Sequence, residues 1–237
     1  MKNCYLSSEV SFFKKLNSER KIQDFLNSLP FNYERRGTTC YSPRLVLKNK
    51  TAHCMEGAMF AAAVLEFHGA RPLVMDLRSE AHDFDHVVAL FKQFGKWGAI
   101  SKTNHAVLRY REPVYNSIRE LAMSYFHEYF DSRGRKTLRE YSWPFDLGYF
   151  DRNLSAPRMH LPAGQAGSEH LPSPGEKNKE ETINWRISDK NLFYIPDYLD
   201  EIKHFRILNQ KQIRNLRIAD KIEIKAGEIV EWEKPGV

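Results

Sequence analysis

Cysteine is scarce in this chain of 237 residues, with three in all, at positions 4, 40 and 54. An odd, sparse count without paired spacing argues against a disulfide framework or a cysteine-based zinc site, and for reduced thiols in a cytoplasmic protein. Long apolar runs are missing too. The longest, after Cys54, is too short and alanine-rich to span a bilayer and reads as a buried core helix. The first nine residues, Met1-Lys2-Asn3-Cys4-Tyr5-Leu6-Ser7-Ser8-Glu9, have no apolar signal-peptide core, so a soluble protein with no membrane partner is expected. The net charge of +6 is spread out, with no dense Lys/Arg block and no basic motif interleaved with aromatics. It reads as a solvated surface, and no nucleic-acid partner is expected. No internal repeat is present.

What is present is a globular composition, 42% hydrophobic and 13% aromatic, in a chain long enough for one large domain or a core with an appendage. Cys54 opens the run Cys54-Met55-Glu56-Gly57-Ala58-Met59-Phe60-Ala61-Ala62-Ala63-Val64-Leu65-Glu66-Phe67-His68-Gly69. This is an almost wholly apolar helix pattern closed by a glycine. A cysteine in the first turn of such a helix meets unpaired backbone N–H groups and the positive end of the helix dipole, both of which favour a thiolate. Downstream, Asp85-His86-Val87-Val88-Ala89-Leu90-Phe91 reads as a strand with a histidine near its start. A thiol on a helix mouth and an imidazole on a neighbouring strand make a nucleophile and base.

Around these two pieces, residues 18–29 have an N-cap serine, helical spacing and Pro30 beyond, predicting a short amphipathic helix. Residues 31–50 are irregular, with 44–47 an ordered approach to the cysteine. Residues 71–77 predict a strand. Residues 86–91 and 96–101 predict a hairpin around Gly95, and 105–110 an extension of the sheet. Pro113 stands where a proline begins a helix, so 114–130 is expected to be helical. Composition shifts after position 150, which divides the chain into a core (1–150), a Pro/Gly/Ser-rich insertion or linker (151–182) and an extension (183–237) packed on the core. Within the extension, 197–205 is expected to be helical and 221–232 to form a β-hairpin around Ala226-Gly227.

The order of these elements resembles the transglutaminase-like core, a branch of the papain-like cysteine-enzyme fold. The matching stretch is roughly 22–102, and its most specific parts are Cys54-Met55-Glu56-Gly57-Ala58, His86-Val87-Val88-Ala89-Leu90 and Gly95-Lys96-Trp97-Gly98-Ala99-Ile100. Nothing after Ser132 is similar. The resemblance implies an α+β fold in which a central helix carrying the nucleophile packs on an antiparallel sheet. It further implies a cysteine hydrolase or acyltransferase that forms a thioester on Cys54, with His86 as its base. The substrate would be an amide or ester of a peptide, a protein or a glutamine side chain. No cofactor and no metal are called for.

In that family an acidic residue follows the strand after the tryptophan, in a run resembling aspartate-proline-threonine. Here the run is Ser101-Lys102-Thr103, so Ser101 stands in the aspartate's place. Strand pairing leads to the same region. If residues 92–95 form the loop, position 86 lies opposite 101. If the loop is Phe94-Gly95 alone, 86 faces 103 and 101 is diagonal. Asn104 is the other candidate orienting residue, as asparagine orients histidine in papain-like enzymes, although it points to the opposite face unless the strand has ended or bulged. A serine or asparagine can fix the histidine tautomer but brings no charge, which leaves a second reading open: a catalytically weak or inactive binding or scaffold module. Tyr41 and His53 are candidates for a second oxyanion donor. His82-Asp83-Phe84-Asp85-His86 invites a metal reading, but alternate positions of one extended segment rarely converge on one ion. Cys4 and Cys40 read as small hydrophobes, and His105 and His127 as packed or surface residues.

Overall fold

The computed structural model describes residues 4–35, 37–152 and 184–234. All but the first two residues of the expected insertion at 151–182 lie outside the described residues. The centre of the fold is α4 (Cys54–Phe67), apolar on every side and therefore buried on every side: of its residues, only Cys54 and Glu66 are not buried. Two amphipathic helices cover it. In α2 (Glu19–Ser28) the Ser18 hydroxyl caps Lys21 N–H, and Ile22, Gln23 and Leu26 face inward. In α3 (Pro43–Asn49), Ser42 caps Leu45 N–H at 3.1 Å and Pro43 occupies the first helical position, where its missing N–H costs nothing. The approach to Cys54 is thus a helix closed by Lys50 at φ 52°, and only a short link separates it from α4. A helix with no counterpart in the sequence reading, α1 (Ser7–Lys15), precedes both. Its Glu9 carboxylate pairs with Arg44 of α3 at 2.7 Å.

Beside α4 lies a seven-stranded antiparallel sheet containing β1 (Leu73–Arg78), β2 (His86–Gln93), β3 (Lys96–Ile100), β4 (Arg111–Tyr115), β5 (Glu140–Ser142), β6 (Phe145–Asp146) and β7 (His204–Arg206). The order is β4-β3-β2-β1-β5-β7, with β6 also pairing β1. Strand alternation divides the core in two. Val74, Val87, Ala89, Phe91 and Ile100 join the cluster around α4. Leu73, Met75, Leu77, Val88, Leu90 and Ala99 join a second cluster with α5 (Ile118–Phe126). The β2–β3 turn is Phe94-Gly95, both at positive φ (49° and 78°), which matches a tight two-residue hairpin loop. Pairing runs from Gln93↔Lys96 to Ala89↔Ile100, so position 101 is diagonal to 86.

Four expectations need correction. The helix expected at 197–205 runs instead over Tyr194–Glu201, and His204–Arg206 is a strand. Pro113 lies inside β4 rather than opening a helix; β4 is an edge strand, where a missing N–H leaves no ladder bond unmade. The helix begins later, where the Ser117 hydroxyl takes Glu120 N–H at 3.1 Å, and it ends at Phe126 rather than 130. Residues 105–110 do not extend the main sheet; His105 pairs instead with Val230. The hairpin expected at 221–232 is a helix, α9 (Lys221–Glu228). Its isoleucine alternation does not mark a buried face, since Ile222 is 77% exposed. Glu223 reaches back to Asp220 N–H at 2.6 Å, so a helix-start signal prevails over a weak strand pattern.

Residues 184–234 are part of the same body. Trp185, Leu192, Ile195 and Leu199 are buried in the α4 cluster, the last two carried by α7 (Tyr194–Glu201), and β7 pairs with β5. Among the described residues, no helix is long and apolar enough to cross a membrane.

Candidate active site

Cys54 is the first residue of α4 and is partly open to the surface. His53 before it is in extended conformation (φ −97°, ψ −173°), and Glu56 one turn on accepts its backbone N–H at 2.9 Å. Glu56 is fully buried and gathers more donors: the Thr39 hydroxyl (2.8 Å), Tyr41 N–H (2.9 Å) and the Asn32 amide (3.0 Å). A buried carboxylate survives because its oxygens are satisfied in this way. The loop through 32–41 is thereby tied to the first turn of the helix.

Two imidazoles, those of His53 and His86, lie close enough to act on the Cys54 thiol. The His53 ring has Nε2 at 3.1 Å from the Thr39 carbonyl and 3.4 Å from Glu56 Oε1. A carbonyl only accepts, so Nε2 carries hydrogen and Nδ1 is left for the thiol. His86, the first residue of β2, has Nε2 2.8 Å from Ser101 Oγ, while the Ser101 hydroxyl donates to the Leu108 carbonyl at 2.6 Å. The one hydroxyl hydrogen is therefore spent on Leu108, and His86 Nε2 must donate to Ser101. His86 Nδ1 is thus the basic nitrogen. Ser101 is itself held by Gln23 of α2, whose amide takes Ser101 N–H (2.9 Å) and donates to its carbonyl (2.7 Å).

Burial is the largest influence on the Cys54 thiol and raises its pKa, but the hydrogen bonds and charges of His53 and His86 outweigh it and bring the pKa down to about 5. His53 mirrors this. Burial opposes its cation, yet the bond to Cys54, the charges of Cys54 and Glu56 and the Thr39 carbonyl raise it to about 9. Between those values the pair is a thiolate facing an imidazolium. Cys40 goes the opposite way: deep burial, then the charge of Glu56, push its thiol up, so the structure separates the two cysteines chemically.

Of the four residues singled out by sequence, His86 and Ser101 are hydrogen-bonded to each other, and His86 acts on the Cys54 thiol. Asn104 does not join them; its side-chain amide is engaged by Tyr33 and by the backbone of Trp232. Of the two orienting candidates, the one that bonds His86 is Ser101. Tyr41, a candidate oxyanion donor, has committed its backbone N–H to Glu56. His53, the other, has its ring Nε2 on the Thr39 carbonyl and acts on the thiol. The sequence reading missed Glu56 and Gln23, and it missed His53 as a partner of the sulfur. A glutamate three residues after His53 at a helix start is the capping signal that would have drawn attention to the first pair.

The residues of the metal-like run each have separate partners. His82 faces Glu80 (3.6 Å) and Asp131 (3.3 Å), Asp83 accepts from Thr137, and Asp85 accepts Ser79 N–H at 2.7 Å. Asp76, Asp85 and Asp200 bring one carboxylate oxygen each within 4.8 Å of one another. The buried member, Asp76, is matched by His204 Nε2 at 2.9 Å, and His204 Nδ1 faces the Ile202 carbonyl at 2.8 Å. With an acceptor at each nitrogen, that ring is a cation. A scan against protein-family models finds no match, and a search of curated proteins finds no similar sequence.

Proposed function

We propose that this protein is a cysteine hydrolase or acyltransferase with a transglutaminase-like core, acting on an amide or ester of a peptide, protein or glutamine side chain. The observation that carries the reading is the Cys54 thiol, held at a helix mouth by two imidazoles and acidified to about 5. An inert buried cysteine has no such company. The α+β architecture and the order of α4, β1 and the β2–β3 hairpin support the same reading.

In this mechanism the Cys54 thiolate attacks the substrate carbonyl carbon. The C–S bond forms as the carbonyl π pair moves to oxygen, where the Cys54 backbone N–H at the helix mouth is one donor. Collapse of the intermediate breaks the bond to the leaving amine or alcohol, which takes the proton that His86 Nδ1 accepted when the thiol ionised. Water, or an acceptor amine, then gives its proton to His86 Nδ1 and attacks the thioester, and Cys54 leaves as thiolate. Ser101 keeps the ring in the tautomer that presents Nδ1. Positive charge facing the thiolate is supplied from the other side, by His53 beside Glu56.

Reaction with iodoacetamide at pH 6 tests this. Cys54 is expected to alkylate well ahead of Cys4 and Cys40, and Cys54→Ala to remove the fast phase. Equal labelling of the three thiols in the folded protein would overturn the proposal. The alternative, a binding module on the same fold, draws on the uncharged Ser101, and it expects Cys54→Ala to leave the biological activity intact.

A further inference from the structure

The residues that frame Cys54 continue into a slot that holds a short extended segment of the chain by its backbone. Residues 229–232 run antiparallel to 104–106. Ala106 N–H donates to the Ile229 carbonyl (2.9 Å), and Glu231 N–H to the Asn104 carbonyl (2.8 Å). The Asn104 side chain then grips Trp232 at both backbone groups. Its oxygen takes Trp232 N–H (2.9 Å) and its amide donates to the Trp232 carbonyl (3.0 Å). The Tyr33 hydroxyl donates to the same carbonyl and accepts from the Asn104 amide at 2.6 Å. A side-chain amide bonding both groups of one residue reads main chain, whatever the side chain may be.

Side-chain recognition is thinner. Arg109 meets Glu231 at 3.1 Å, while the Trp232 indole N–H is buried with no acceptor among the described residues. The occupant's backbone is therefore matched more completely than its side chains. Both walls adjoin the Cys54 site. On one side, Lys102 crosses the first turn of α4 so closely that a Cβ on Gly57 would stand 2.4 Å from Lys102 Cβ, and Asn104 lies two residues on. On the other, Tyr33 sits between Asn32, which donates to Glu56, and Glu34, whose carboxylate is 3.9 Å from His53 Nε2.

We infer that Tyr33, Asn104, Ala106 and Arg109 form a subsite for the main chain of an extended peptide with an acidic residue opposite Arg109, and that residues 229–232 occupy it in cis. Its role in delivering substrate rests on the reading of Cys54 as nucleophile; the binding itself does not. A peptide in trans competes with a tethered segment whose effective concentration is in the millimolar range, so the filled slot is masked rather than absent.

The test uses the full chain and a fluorescent, end-blocked peptide, Glu-Ile-Val-Glu-Trp-Glu, followed by anisotropy. Glu231→Pro deletes the N–H that Asn104 accepts and loosens the resident segment. The peptide is expected to bind this variant about tenfold or more tightly than the unsubstituted chain. Adding Asn104→Ala should return binding to background. Equal or absent binding to both chains overturns the inference. If Glu231→Pro fails to fold, excess peptide added to the unsubstituted chain should accelerate hydrogen exchange of the Glu231 and Trp232 amides, and unchanged exchange overturns it equally. Cys54 alkylation at pH 6, run in parallel, separates the two readings. Fast labelling without peptide binding removes the slot and keeps the nucleophile. Peptide binding with slow labelling keeps the slot and removes the nucleophile.

Discussion

Helix α4 has a buried charged side chain packed at each end, Glu56 at the first turn and Arg186 at the last, and the two ends use charge differently. At the C-terminal end, Glu66 is paired with Arg186 through both carboxylate oxygens (2.5 and 2.7 Å). Arg186 also reaches both oxygens of Asp151 (2.8 and 2.7 Å) and stacks over the Trp185 ring at 4.4 Å. A glutamate there opposes the helix dipole, and the guanidinium offsets it. Arginine does not give up its proton at any ordinary pH, so that charge is permanent and its work is structural. At the N-terminal end the groups are the Cys54 thiol and the His53 imidazole, whose protons move at accessible pH. Their charges exist because a proton can pass between sulfur and nitrogen. Buried charge alone does not mark a functional site; buried charge that can be exchanged does.

Three substitutions would break or sharpen that contrast. The largest effect is expected at the structural end. Arg186→Met strands Glu66 and Asp151, and should lower unfolding free energy by about 3–5 kcal/mol in urea melts while leaving Cys54 labelling per folded molecule unchanged. A loss below about 1 kcal/mol would show that the two ends differ less than their geometry implies. At the other end, His53→Gln removes one of the two imidazoles that lower the Cys54 pKa. The alkylation rate of the native chain should rise with pH through about 5 and then level off. In the variant that rise moves upward, because a weaker depression returns the thiol toward its ordinary value. At pH 6 the rate should fall about tenfold, with little change at pH 9. An unmoved profile would assign the acidity to His86 alone. The smallest effect belongs to Ser101→Ala, which frees the His86 tautomer without removing a charge. Turnover of an activated ester should fall severalfold while the alkylation midpoint stays in place. A shifted midpoint would mean that Ser101 acts on the sulfur and not on ring orientation.

Much of this site was legible locally. The apolar run after Cys54 has a single solution, a buried helix, and a cysteine at its first position has no other place to be. The Phe94-Gly95 turn determines the β2–β3 register, so the proximity of Ser101 to His86 follows from counting along two strands. Asn104 was the harder case. Alternation put it on the face away from His86 unless the strand had ended, and β3 does end at Ile100, past which alternation no longer says where a side chain points. The helix α9 shows the same failure in another form. Residues 221–232 alternate like a strand, and only the Asp220–Glu223 cap and the packing of Ile224 against Gly134 settle the outcome.

Sequence alone determined that Cys54 would open a buried helix and that His86 and Ser101 would share one end of a hairpin, because both depend on near-neighbour periodicity and turn chemistry. Tertiary structure alone decided that the Glu56 carboxylate beside His53 would be sealed beneath Asn32, Thr39 and Tyr41. It alone laid residues 229–232 along Asn104–Ala106. Those contacts join stretches far apart in the chain, and their energies come from burial and charge pairing that no local pattern records.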